Sequence, residues 1–324
     1  MVYAPKYLDG KRHQVVDIFY SGVGILNELS SEEMEEAFQK SLAEQAQGTF
    51  LMECALRPGR FLDNRSSPYY NLGDFEKGGD CLRAVLKKQI MILPGMCDST
   101  ARLGVPDAFA LCMDLATEHA EELGCGLNAL MPQGKFWLTV KTKLRFFRRP
   151  RMTETVTAST WPEKPGAMRC VRDYLVCSGD EILVAGKTQW AIINNGSGRL
   201  ESMDGIYPEG LELSTDQALP EPFARVDVSF PQEPFASYAV RSTDIDLGGH
   251  MNNAAYVRAL AGLFPSREWN GMRIRDVDVL FRSPCYEGNT LLFYRQQTGE
   301  DLALRAALPD GREVLLALIR SGKE

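Results

Sequence analysis

No apolar run in this chain approaches the roughly 20 residues that a membrane-spanning helix requires. Residues 1–14 are polar, carry Pro5, Lys6, Lys11 and Arg12, and lack the apolar core of a secretion signal, so a cytoplasmic location is expected. Basic residues do not dominate: 36 Lys and Arg stand against 43 Asp and Glu, a net charge of −7, which argues against nucleic acid as the main partner. Histidine is scarce, with only His13, His119 and His250, and none of the eight cysteines forms a C-x-x-C pair. No two of these residues have zinc-type spacing, so neither a metal nor a cofactor is expected. Without a secretion signal the cysteines read as free thiols. There is no G-x-S-x-G and no P-loop. Gly22-Val23-Gly24 follows a strand-like run, but Asn27 stands where a dinucleotide fingerprint needs its third glycine.

What is present is an ordinary globular composition, 44% hydrophobic and 24% charged, in a chain longer than one average domain. Residues 1–80 read as a small α/β segment. It has a strand at 13–20, a capping box at Ser30–Glu33 opening a helix, a strand at 49–56, and a Gly/Pro/Ser-rich stretch at 57–80. Two segments of the same element order follow. In 84–207 a strand near 87–93 precedes a helix over 106–123 and strands at 136–147, 154–161, 168–177 and 181–193. In 235–324 a strand near 237–240 precedes a helix over 253–263 and strands at 272–281, 290–297, 302–308 and 313–320. Ser178-Gly179-Asp180 and Asp310-Gly311 are hairpin signals at matching places, so the duplication is one of elements. The Pro/Glu-rich 208–234 reads as the linker. A strand, an apolar helix and an antiparallel meander form the hotdog order. The expected class is therefore α+β: two tandem hotdog domains, each a sheet wrapped round a central helix, plus the N-terminal segment.

Two stretches carry a resemblance. One runs from Lys135-Phe136-Trp137 through Arg145 and Pro150 to Thr160-Trp161; the other is TDIDLGGHMNNAAY, residues 243–256. Together they resemble the plant and bacterial acyl-ACP thioesterases, whose second domain holds D-x-D-x-N-x-H-x-N-N-x-x-Y before its central helix. The resemblance covers about residues 85–324. It implies hydrolysis of a fatty acyl thioester on acyl carrier protein, with the acyl chain housed in the first domain and catalysis in the second. By resemblance Asp246 and His250 fall on the catalytic Asp and His, and Asn252 and Asn253 on the asparagine pair. Two positions depart from the pattern: Gly248 replaces an Asn, and Pro284 replaces an acid, followed by Cys285. Glu287 lies three residues beyond Pro284.

Read as chemistry, thioester hydrolysis needs a base for water and donors for the developing oxyanion. Backbone N–H groups of Met251, Asn252 and Asn253 at a helix start would supply donors, with Asp246 and His250 positioning water. Asn252 is also a good N-cap, Asp246 a common turn residue, and Cys285 either a nucleophile or a small core thiol. Asp114, Glu118 and His119 on the first helix form a second candidate site, with a solvated helix face as the plainer reading. Phe109, Met113 and Trp137 are candidate walls of the acyl pocket or ordinary core. Lys141, Lys143 and Arg145 alternate on one strand face, followed by Arg148 and Arg149: a docking patch for the acidic carrier protein, or a solvated edge strand. The alternatives to a thioesterase are a dehydratase or hydratase acting on acyl thioesters and a non-catalytic acyl-thioester binder. Packing on the hotdog pair, forming a homodimer and binding a further ligand are all open roles for residues 1–80.

Overall fold

The computed structural model describes residues 84–322 and the backbone of three short strands nearer the start of the chain. Those strands, β1 (Tyr3–Leu8), β2 (Lys11–Val16) and β3 (Gly24–Ile25), form an antiparallel sheet within a compact unit of their own, Met1–Pro68. The strand expected at 13–20 overlaps β2 in part. The helix expected after Ser30, the strand at 49–56 and the loop at 57–80 lie outside the described residues.

In the second unit the elements come in two runs of one order. The first is β4 (Leu86–Met91), the 18-residue α1 (Val105–Glu122), a four-residue α2 (Leu127–Leu130), then β5 (Lys135–Phe146), β6 (Thr155–Pro162), β7 (Cys170–Ser178), β8 (Glu181–Asn194) and the two-residue β9 (Leu200–Glu201). The second is β10 (Ala236–Ala239), α3 (Asn253–Ala261), α4 (Ser266–Gly271), β11 (Ile274–Phe281), β12 (Thr290–Thr298), β13 (Asp301–Ala307) and β14 (Glu313–Ser321). Each helix has a physical start. Pro106 and Asp107 occupy the first turn of α1, where an unbonded N–H and a positive dipole end favour them. Val105, Ala108, Phe109, Cys112, Leu115, Ala116 and His119 then recur at three- and four-residue spacing and are buried.

The strands form one continuous sheet, in the order β10-β12-β13-β14-β11-β5-β8-β7-β6-β4, with β9 beside β8. The two halves are mirror-ordered and meet where β11 pairs antiparallel with β5, Asp276 opposite Arg145 and Val279 opposite Thr142. Two hotdog units thus share a single sheet. Helices α1 and α3 cover one face, where Leu144, Phe146, Val277 and Val279 join Phe109 and Tyr256 in the main core.

Strand alternation sends the intervening residues to the other face, and the register lines up two charged rows across the join. One row is Asp173, Lys187, Lys143 and Asp278; the other is Arg145, Asp276, Arg320 and Asp301. The linker between halves lies over these rows and is fastened to them. Lys187 Nζ donates to the Leu219 carbonyl (2.7 Å), Lys143 Nζ to that of Pro222 (3.1 Å), and Trp161 Nε1 to that of Asp216 (2.8 Å). In return the Ala218 and Ala224 N–H groups donate to Asp173 Oδ1 (3.0 Å) and Asp278 Oδ1 (2.8 Å).

Asp173 is fully buried, and its Oδ2 has no hydrogen-bond partner among the described residues. Burial, reinforced by neighbouring Glu163, pushes its carboxyl up to about 7. The folded protein therefore holds a proton that the unfolded chain has released above its ordinary 3.8. The resulting stability is full below that value and is lost as pH rises through 7. Asp173→Asn keeps an acceptor for Ala218 N–H and removes the titration. By calorimetry its Tm should match the wild type at acid pH and exceed it by about 2–8 °C at pH 8, for a change of about 1–2 kcal/mol; parallel pH profiles would refute the assignment.

Candidate active site

The loop entering α3 is short and self-bonded. Ile245 and Met251 form an isolated antiparallel bridge, and Asp246 N–H donates to the His250 carbonyl (2.9 Å). Between them Gly249 turns the chain at φ +74°, a conformation that favours glycine. Asp246 Oδ1 accepts the Gly248 N–H (2.8 Å), the Asx turn that Asp forms readily. Asn252 is the N-cap of α3, its Oδ1 accepting from Ala254 N–H (2.8 Å).

Asp246 is exposed and His250 half-buried. A Cβ added to Gly248 would lie 3.1 Å from both Asp246 Oδ1 and His250 Nδ1, so the two side chains converge over that glycine. No hydrogen bond joins them among the described residues. The His250 ring also meets Tyr286, centroids 5.3 Å apart and planes inclined by 51°. Leu247 (68% exposed) and Tyr286 (48% exposed) form an apolar lip on either side.

Of the three backbone donors expected here, two are already engaged. Met251 N–H donates to the Cys285 carbonyl (2.8 Å) and Asn252 N–H to that of Asp244 (2.8 Å). Asn253 N–H, the first of α3, carries no such bond among the described residues and stands at the positive end of the helix dipole. Tyr256 has a structural part: its hydroxyl oxygen accepts the Cys285 N–H (2.9 Å) and ties α3 to the 283–286 turn.

Several expected residues take other places. Cys285 is 0% exposed and burial pushes its thiol above the ordinary value, the setting of a small core thiol. Pro284 and Glu287 are exposed. The edge-strand reading is corrected, because β5 lies between β8 and β11 under the linker, and the basic residues proposed for docking make contacts within the fold. Lys143 is 3% exposed, Arg145 is paired with Asp276 (2.6 Å) and Glu221 (2.5 Å), and Lys141 lies over the Phe223 ring. Arg148 is held between Glu154 and Glu181 (2.9 Å each), and Arg149 by Asp98. Phe109 is core, Met113 is half-buried against it, and Trp137 donates to the Cys125 carbonyl (2.8 Å) while its ring abuts Trp190 edge-on. On α1, Glu118 pairs with Lys88 (2.7 Å), Asp114 is exposed, and His119 is fully buried with its Nδ1 against Arg172 Nη1 (2.8 Å). Among the described residues no three His, Cys, Asp or Glu side chains cluster as metal ligands, and no helix is long and apolar enough to cross a membrane.

The structure also shows a relation that motif reading missed. Cys97 bridges Leu103 as Ile245 bridges Met251, and Asp98 N–H donates to the Arg102 carbonyl as Asp246 does to that of His250. Leu103 N–H donates to the Pro150 carbonyl as Met251 does to that of Cys285. Asp98 and Arg102 are thus the first-half counterparts of Asp246 and His250. The shared spacing, an apolar residue, Asp, three residues, a basic side chain and an apolar residue, was present in the sequence. In the first half the carboxylate is used up by Thr100 (N–H 2.8 Å, Oγ1 2.6 Å) and Arg149. Only the second loop leaves its carboxylate and imidazole accessible.

The fold and this loop define a double-hotdog protein with one open helix-entrance site. A model of the acyl-ACP thioesterase N-terminal domain matches residues 83–208 and one of the C-terminal domain matches 229–309. The chain belongs to the acyl-ACP thioesterase family. A chloroplastic acyl-[acyl-carrier-protein] hydrolase of Cuphea viscosissima is 24% identical over 162 residues, 48% of this chain and 39% of its own. A chloroplastic oleoyl-acyl carrier protein thioesterase of Arabidopsis thaliana is 21% identical over 195 residues, 55% of this chain and 53% of its own. The matches thus cover well under two thirds of these curated relatives. In fold, an acyl-ACP thioesterase from Bacteroides thetaiotaomicron superposes with a TM-score of 0.66 at 20% identity, over 73% of this chain and 97% of that one. The 12:0-ACP thioesterase of Umbellularia californica gives 0.66 at 19%, over 75% and 98%.

Two outcomes follow from these placements. In the native protein Cys285 should resist iodoacetamide until the chain unfolds, and Cys285→Ser should keep full activity; a large loss of activity would return it to the chemistry. Lys143→Gln should lower Tm by several degrees, about 1 kcal/mol or more, and leave the KM for an acyl-carrier-protein substrate and its salt dependence unchanged.

Proposed function

We propose that this chain hydrolyses the thioester between a fatty acyl group and acyl carrier protein at the loop entering α3. The observation carrying this reading is the single open loop, in a chain of the acyl-ACP thioesterase family, that sets His250 and Asp246 over Gly248 beside an unbonded helix N–H. The thioester carbonyl oxygen accepts from Asn253 N–H, where the helix dipole favours developing negative charge. His250 takes a proton from water as its oxygen bonds to the carbonyl carbon. Collapse of the tetrahedral intermediate breaks the C–S bond, and the imidazolium returns its proton to the departing thiolate, leaving fatty acid and free thiol. Asp246 lies on the Nδ1 side of the ring.

Gly248 and Pro284 favour a second reading, a binder without turnover, because the family's amide and acid are both missing from the loop. One assay separates the two. Thiol release from a panel of acyl-carrier-protein thioesters supports hydrolysis, and His250→Ala should then lower kcat by about 10²–10⁴-fold, the usual worth of a general base. Binding without thiol release supports the alternative. Gly248→Ala tests the convergence directly: its Cβ would press on both Asp246 and His250, so kcat/KM should fall about tenfold with Tm nearly unchanged.

A further inference from the structure

The sheet face opposite the helices carries a cavity that catalysis at His250 does not use. It lies between the linker segment 223–226 and strands β5, β8, β11 and β14, and holds about 470 Å³. That is within the roughly 300–1,000 Å³ of small-molecule sites. Its floor is aliphatic: Leu138, Leu280, Leu316 and Ala191. Leu138, the fourth residue of β5 and outside its pairing with β11, is 40% exposed. Neither Asp246 nor His250 borders it.

Four cations line this apolar floor, and three of them lack carboxylate partners among the described residues. Lys141 makes only its contact over the Phe223 ring (5.8 Å), and Arg169 only a 3.4 Å hydrogen bond to Gln189 Oε1. Arg225 has no ion pair or side-chain hydrogen bond among the described residues. A fourth, Arg282, is paired with Glu313 (3.2 Å). The single acid in the lining, Asp278, is committed elsewhere: it accepts from Ala224 N–H, pairs with Arg320 (3.1 Å) and sits 3.9 Å from Lys143. The contrast with the adjoining rows is informative. There every cation is matched by a carboxylate or a linker carbonyl, whereas here three positive groups converge on aliphatic surface with none.

We propose that this cavity binds a fatty acid anion, its chain lying on the leucine floor and its carboxylate among Lys141, Arg169 and Arg225. An apolar chain with one anionic end satisfies both halves of the lining: burial removes the leucines from water, and the carboxylate supplies the charge the arginines and lysine lack. A neutral lipid would leave the cations unmatched, and a compact anion would leave the floor bare. The site is separate from the catalytic loop and goes beyond the hydrolytic reading.

The test is calorimetric titration of the full chain with dodecanoate, with dodecanol as the uncharged control. Saturable binding of dodecanoate, at least about tenfold tighter than dodecanol, is expected in the wild type and equally in His250→Ala. Lys141→Gln combined with Arg225→Gln should weaken dodecanoate at least about tenfold and leave dodecanol unaffected. Leu138→Glu, at an exposed position, should abolish binding without loss of Tm and stands in should the double variant fold poorly. The proposal is overturned if dodecanoate does not bind, if these variants bind it normally, or if His250→Ala alone removes binding. A chain that binds dodecanoate in this pattern but releases no thiol defeats the catalytic proposal and leaves this one standing.

Discussion

The antiparallel pairing of β5 with β11 is the constraint on which the rest of the structure depends. It joins a six-stranded and a five-stranded half into one sheet and puts both helices on the same face. It also removes β5 and β11 from the sheet edge, where unpaired N–H and C=O groups would invite association. The rows of charge across this join are a costly way to fill a buried surface, since apolar residues there could serve stability as well. What the charges add is register. A one-residue slip of β5 would send Lys143 and Arg145 into the helix-side core and bring Leu144 and Phe146 out of it. The linker then completes the arrangement, because its carbonyls and N–H groups satisfy the polar atoms that the strands present.

The duplicated fold makes two helix entrances with the same backbone bonding, yet only one is chemically available. In the first, Arg149 and Thr100 close over Asp98, and Arg102 donates to the Arg149 carbonyl (3.3 Å). That carboxylate is neutralised and the corner becomes a brace between the loop and the end of β5. In the second, Cys285 occupies the place of Pro150 and Pro284 that of Arg149, so among the described residues no cation from this turn pairs with Asp246. The same backbone bonding therefore diverges through nearby side chains, Thr100 and Arg149. The brace keeps the first half rigid, and the open loop keeps a carboxylate and an imidazole free to meet a substrate.

Much of the element order was legible in the sequence because its signals are local. Alternation, hairpin glycines and the apolar spacing of α1 each act within a few residues, and from residue 84 onward the observed strands, β9 excepted, fall within a few residues of those expected. The Asn252 cap and the loop position of His250 were legible for the same reason. The join between β5 and β11 was not, since Arg145 and Asp276 are 131 residues apart and nothing near either announces the other. The same blindness misplaced the basic strand. Alternating Lys and Arg ordinarily mark a solvated face, and only Asp276, Asp278 and the linker, all distant in sequence, turn this one into a covered surface. Cys285 drew attention as a thiol following the site of a lost acid, but its burial is decided by packing against Tyr256 and the entry loop.

The two departures from the family pattern act on one small volume. An asparagine at 248 would carry its Cβ within 3.1 Å of both Asp246 Oδ1 and His250 Nδ1, tighter than side chains ordinarily tolerate. An asparagine there would require the Asp246 and His250 side chains to give way by a few tenths of an ångström. Glycine has let the carboxylate and imidazole draw together over the space that an amide would fill, and Tyr286 closes the imidazole's other flank. Proline at 284 leaves that exposed position without a carboxylate. The site is thus better understood as a contracted arrangement of two groups than as a larger one with two parts missing.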